Sequence, residues 1–234
     1  MALFWLMAWI PGISTEITVC DECSISSITV AVEEANAGDT IRVSAGHYTV
    51  ENLGITKPMT LIGEPGAILD GANTSYVLRL LSDSITIAGF EITNSGRSYT
   101  KDYAAIYVYD SKMVQIIENT VHDSFFGILM EKATQSVIRG NKVMGTATRE
   151  DQSGNGIHLW HCEEIQITNN EVFGMRDGIY LEFVDESRIS RNYSHNNVRY
   201  GLHFMFSNHD TYTDNTFQHN GAGVAVMFSK WIRM

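Results

Sequence analysis

The sequence predicts an all-β chain, a right-handed parallel β-helix whose coils hold three strands in 22 or 23 residues, closed at its start by a short capping helix. Three observations predict it. Gly-led or Ala-led apolar segments recur at Ala105, Gly127, Gly156, Gly178, Gly201 and Gly223, in steps of 22, 29, 22, 23 and 22 residues. A second series, Asn119, Asn141, Asn170, Asn192 and Asn215, keeps the same steps of 22, 29, 22 and 23. Within each segment apolar residues alternate, as in Ile157 and Leu159, Ile179 and Leu181, or Leu202 and Phe204. That is the two-residue period of a strand. Two more short strands flank each Asn, for example Ile165-Gln166-Ile167 before Asn170 and Glu171-Val172 after it.

Taken in order, the chain opens with an apolar run, Ala2 to Ile10, ahead of Pro11-Gly12-Ile13-Ser14. It is shorter than the roughly 20 residues that span a bilayer, so residues 1–14 are read as an export signal. Residues 15–234 then form one domain. Cys20 and Cys23 are expected to form a local disulfide in an oxidising compartment. Residues 27–36 supply the cap over the stack's open end, with Ile28, Val32 and Ala35 on one face, Ser26 or Ser27 at its start and Gly38 past its end. Coils are expected from about Thr40. Ile106, Val108, Ile128, Met130, Ile157, Leu159, Ile179, Leu181, Leu202, Phe204, Val224 and Val226 should point inward, each burial contributing roughly 1.5–3 kcal/mol. The Asn series is read as a ladder at a bend, each side chain bonding the next coil and tolerating strained backbone angles. Ser229-Lys230-Trp231-Ile232 repeats the phase of Glu186-Ser187-Arg188-Ile189, so the sequence stops as another coil begins and further C-terminal coils are expected beyond it.

Charge narrows the partners. The formal net charge is −11, with 16 Lys and Arg against 27 Asp and Glu, and such a surface repels a phosphate backbone. Nucleic acid is therefore not expected as a partner. Ten Met and eight His form a generous supply of soft and borderline metal ligands, although most Met residues fill core gaps.

One corner of the coil is enlarged twice, between Ile92 and Ala105 and between Val143 and Gly156, and insertions gathered on one corner suit a binding face. The strand after that corner should point Leu129, His158, Tyr180, His203 and Ala225 outward, followed by Glu131, Trp160, Glu182, Met205 and Met227. Glu182, Met205 and Met227 would share a column with His203 beside it, a surface set of carboxylate, thioethers and imidazole. Thioethers favour Cu(I) and imidazole suits copper in either state, so these four are the leading candidate copper ligands. The competing reading of this patch, flanked by Phe183, Phe206 and Phe228, is a protein-docking face. His158, with His161 and Cys162, is the second candidate cluster, although an odd spacing turns two strand residues to opposite faces. His122, His195 and His219 fall at short corners and read as solvated turn residues.

The run Gly178-Ile-Tyr-Leu-Glu-Phe, Arg199-Tyr-Gly-Leu-His-Phe-Met-Phe-Ser-Asn208 and Asn220-Gly-Ala-Gly-Val-Ala-Val-Met-Phe-Ser229 resembles the NosD family, periplasmic copper-binding maturation proteins of nitrous oxide reductase. The resemblance implies an exported accessory protein without catalysis. It further implies transient copper binding and partnership with the membrane and ATPase subunits of an ABC transporter, a copper chaperone and the reductase itself. The early end and the Cys20/Cys23 pair depart from that pattern. Two rival readings remain. One is a polysaccharide lyase, epimerase or hydrolase using Asp177, Glu182, Asp185 and Arg199, because such chemistry needs carboxylates or a basic residue converging on a groove. The other is a binding solenoid without chemistry.

Overall fold

The computed structural model describes residues 14–98 and 100–234. Nearly all of the expected export signal lies outside the described residues. From Glu16 onward the chain winds into a parallel β-helix with three sheets, because the period-two segments of successive coils stack in register instead of pairing with their neighbours in sequence. The first sheet runs through nine strands from Glu16–Val19 and Thr40–Val43 to Thr211–Thr213. The second has eight, from Gly46–Thr49 to Thr216–Gln218, and the third eight, from Leu53–Ile55 to Ala222–Met227. Every paired strand is parallel, and each pairing joins one coil to the next. The wall is right-handed, as parallel crossover connections are.

The inward series expected from the sequence lines the axis: Ile106, Val108, Ile128, Met130, Ile157, Leu159, Ile179, Leu181, Leu202 and Phe204 are all fully buried. Val224 is only half-buried and Val226 is 49% exposed, at the last described coil. The solenoid also starts earlier than Thr40. Glu16–Val19 pairs residue for residue with Thr40–Val43, adding a rung before the helix, because Ile17 and Val19 carry the same alternation as Ile41 and Val43. Helix Ile28–Glu34 sits between these two strands, capped by Ser27, whose Oγ accepts from the Val30 amide, and buries Ile28, Ala31 and Val32. Cys20 and Cys23 form a disulfide, and Cys162 is buried at its bend.

The Asn ladder is continuous. Each side-chain oxygen accepts both the backbone N–H and the Nδ2–H of the preceding ladder Asn, at 2.9–3.0 Å from Asn119 through Asn215. The second Nδ2 hydrogen goes back to a core-strand carbonyl such as Ile116 or Ile138. The strained backbone is not on the ladder itself but one residue earlier: Glu118, Asn169, Arg191 and Asp214 hold φ between 54° and 56°. The Asn side chains thus satisfy the backbone groups that the left-handed bend turns away from the sheets.

Candidate functional site

The enlarged corner builds a roof over the outer face of the third sheet. Its two insertions touch where Arg97 donates to the Gln152 carbonyl at 3.2 Å, and the Gly154 amide donates to the Phe125 carbonyl at 2.8 Å. A Cβ on Gly154 would lie 2.7 Å from the Phe126 ring, so only glycine lets the insertion lie this close. Beneath it Leu129, outward-facing by register, is buried with Phe126 in a small apolar cluster outside the main core.

Strand register places the predicted columns as the spacing required. Leu129, His158, Tyr180, His203 and Ala225 are aligned partners, as are Glu131, Trp160, Glu182, Met205 and Met227. Glu182, Met205 and Met227 are each half-buried and reachable. His203 is not on the surface, as the sequence suggested, but 1% exposed. Tyr180 and Tyr200 pack against it with ring centroids 4.7 and 4.8 Å away, and Asp177, itself fully buried, stands 3.4 Å from its Nδ1. Asp177 also meets Arg199 Nε at 3.6 Å, and the insertion's Glu150 meets Arg199 Nη1 at 3.7 Å. With Nδ1 against the carboxylate, His203 Nε2 is left buried without a partner.

His158 lies on the other side of Tyr180 from His203, the Tyr180 ring standing 4.8 Å from the one and 4.7 Å from the other. Its Nδ1 is 3.4 Å from Asn155 Nδ2 and its Nε2 is 4.0 Å from a Glu182 oxygen. Burial, with the Arg176 charge nearby, holds its pKa down at about 3, so it is neutral at ordinary pH. The second cluster disperses as the odd spacing implied. His161 stacks on Phe183 outside, while burial pushes the Cys162 thiol up to about 12, which keeps it from acting as a thiolate. Among the described residues no group of three His, Cys, Asp or Glu side chains is placed to hold a metal, so a soft ion here depends on the thioethers.

Two corner histidines differ from the sequence reading. His122 is half-buried and paired: Nε2 meets Glu91 at 2.8 Å and Nδ1 meets Asp123 at 2.7 Å. Burial opposes its charge, but the two carboxylates raise its pKa overall. His195 similarly meets Glu171 at 3.2 Å. Glu91 and Glu171 were not legible as partners, because each lies one coil away, whereas Asp123 is simply the next residue. The carboxylate set named for sugar chemistry also divides: Asp177 is buried, Glu182 stands in the outward column, and Asp185 turns to His209 at 2.8 Å.

The fold and this face define a parallel β-helix protein with a carboxylate–thioether column on one sheet, roofed at one corner. Residues 144–233, which carry that column, match the family model described as periplasmic copper-binding protein (NosD). The chain is 33% identical over 138 residues to a probable ABC transporter binding protein NosD of Pseudomonas aeruginosa, covering 58% of this chain and 32% of the relative. It is 28% identical over 154 residues to the protein of that name from Stutzerimonas stutzeri, covering 65% and 35%. The similarity to NosD proteins lies in that segment and around it, and the chain spans about a third of the length of these curated relatives. Among solved structures, a Yersinia enterocolitica family 28 exopolygalacturonase superposes with a TM-score of 0.77 at 13% identity, over 91% of this chain and 56% of that one. A Streptococcus pneumoniae surface adhesin gives 0.67 at 15%, over 81% and 56%. At such identities these two share the fold alone. No helix among the described residues is long and apolar enough to cross a membrane.

Proposed function

We propose that this chain is the β-helical part of an exported accessory protein that receives and passes on copper during assembly of nitrous oxide reductase. In this reading it works beside an ABC transporter and a copper chaperone and catalyses nothing itself. The observation that carries the reading is the in-register column Glu182, Met205 and Met227 with His203 beside it, inside the segment that matches the copper-binding family. Adjacent coils stand about 4.8 Å apart, which lets neighbouring side chains converge on one ion.

The donor chemistry suits a relay. Thioethers carry no proton, so Cu(I) can arrive and leave without proton release or uptake at those ligands. Glu182 adds a charge that holds the ion at the half-buried surface. His203 is the inner donor, since Nε2 is its free nitrogen and is reached only when the covering rings move. The family's periplasmic setting and the transporter association in the relatives' names support the location and the partners.

Anaerobic competition titration of the purified chain with a Cu(I) chelator tests this. The parent should compete for Cu(I), and a variant with His203, Met205 and Met227 all changed to Ala should lose most of that affinity while keeping its β-sheet circular dichroism. Equal affinity in the folded triple variant would sink the site. Appearance of unsaturated ends on uronate polysaccharides incubated with the chain would instead revive the lyase reading.

A further inference from the structure

Two buried histidines, His158 and His203, share one column of the third sheet, with Tyr180 aligned between them. Each has a buried Nε2 without a hydrogen-bond partner. Packing does not demand an imidazole in this column, since Leu129 fills the aligned position in the coil before His158. The two rings differ in what faces Nδ1, and in a neutral imidazole the group at one nitrogen decides which nitrogen carries the hydrogen.

His158 Nδ1 stands 3.4 Å from Asn155 Nδ2. The orientation of that amide is fixed from its other end, where Asn155 Oδ1 accepts from Arg176 Nε at 3.2 Å, and a guanidinium only donates. The end facing His158 is therefore the NH2, which also only donates. Nδ1 is left as the acceptor and the ring hydrogen lies on Nε2, 4.0 Å from a Glu182 oxygen. Burial holds this ring neutral.

His203 meets the opposite chemistry. Its Nδ1 is 3.4 Å from Asp177 Oδ2, while Oδ1 of that carboxylate faces the Tyr200 amide at 3.3 Å and Arg199 Nε at 3.6 Å. A carboxylate only accepts, so Nδ1 carries the hydrogen and Nε2 keeps its lone pair.

We propose that Asn155 and Asp177 sort the two histidines into opposite tautomers, and that Asp177 is the positioning residue that makes His203, not His158, the imidazole donor for copper. The donor role rests on the copper reading; the tautomers do not. A metal-binding imidazole characteristically gives its other N–H to a carboxylate or carbonyl, and His203 already does so before any ion arrives. His158 would first have to move its hydrogen off Nε2.

Long-range proton–nitrogen correlation NMR of the histidine-labelled, copper-free chain tests this, with signals assigned by their loss in His158→Phe and His203→Ala. The parent should show Nδ1–H at His203 and Nε2–H at His158. Asp177→Asn keeps the side-chain volume. Tyr200 and Arg199 should hold its oxygen, so its NH2 turns to His203, which should change to Nε2–H. Anaerobic Cu(I) affinity should then fall about 10- to 100-fold. Asn155→Asp should make the reciprocal change and turn His158 to Nδ1–H. The proposal is overturned if His203 in the parent carries hydrogen on Nε2 or on both nitrogens, if Asp177→Asn leaves its tautomer unchanged, or if that variant changes tautomer yet binds Cu(I) like the parent. The expected tautomers in a chain that takes up no Cu(I) would sink the copper reading and leave the sorting standing.

Discussion

Two ladders climb this solenoid with the same period, and they are built on opposite principles. The Asn ladder, from Asn119 to Asn215, ties its side chains to the coils on both sides, one amide hydrogen to the next Asn and the other to a carbonyl of the coil before. The outer ladder, His161, Phe183, Phe206 and Phe228, stacks rings at 4.6–5.1 Å with planes 6–16° apart, yet its three Phe side chains are 40%, 42% and 76% exposed. All four residues of the outer ladder hold a left-handed φ of 51–53°, a conformation that costs bulky side chains roughly 1–2 kcal/mol. In the Asn ladder that conformation falls on the residue before the Asn, where no large side chain is needed. A shared repeat position therefore does not imply a shared role. One ladder completes the backbone's hydrogen bonding, while the other keeps apolar rings at the surface at some conformational cost.

Breaking the inner ladder should have the largest effect. Asn170→Ala removes the acceptor for the Asn141 amide and side chain, and the donor to Ile138 and Asn192, leaving several buried groups orphaned. Urea unfolding should show a loss of about 3–5 kcal/mol, with thermal unfolding shifted to match. A loss no larger than that of an exposed-site control would remove the ladder's structural role.

Next in size is a buried carboxyl at the end of the stack. Asp210 accepts from the Ser187 amide, but its second oxygen is buried without a partner. Burial pushes its pKa from 3.8 up to about 7. An acid whose folded pKa is raised stabilises the fold at low pH and loses that contribution as pH rises, here between about pH 4 and pH 7. Asp210→Asn should therefore stabilise the chain at pH 8 by on the order of 2 kcal/mol and matter little near pH 4. The test is the pH dependence of the unfolding midpoint in parent and variant.

His158 should act in the opposite sense. Its pKa is lowered from 6.5 to about 3, so its neutral form is favoured by folding and stability falls as pH drops through that window. His158→Phe, set between Phe126 and Tyr180, should flatten the acid limb of the stability curve between about pH 6 and pH 3. An unchanged acid limb would show that other groups dominate it.

The smallest effect is expected on the outer ladder. Phe206→Gly relieves the left-handed strain while losing ring stacking of about 0.5–1.5 kcal/mol, so stability should move by less than about 1 kcal/mol either way. A loss comparable to Asn170→Ala would mean that the exposed rings hold the coils together after all, and the contrast between the ladders would collapse.

Much of the architecture was legible in the chain itself. Strand periodicity and the two 22- to 29-residue series are local or repeat-level signals, so the coil, its inward residues and the alignment of Glu182 with Met205 and Met227 all followed from counting. The first rung at Glu16–Val19 was missed because one short strand before a helix carries no repeat partner upstream. The burial of His203 was missed because it depends on Asp177 and Tyr180 from the preceding coil, on Tyr200 of its own strand and on Arg199, which the insertion's Glu150 meets.

The sequence by itself determined the solenoid, its period and which residues share a column, because register in a stacked coil is arithmetic on chain position. Only the tertiary structure decided which outward residues remain reachable. Exposure on that face depends on how far an inserted loop folds over a neighbouring coil, and on which side chains from other coils meet beneath it. Neither distance is written in any local stretch of the chain.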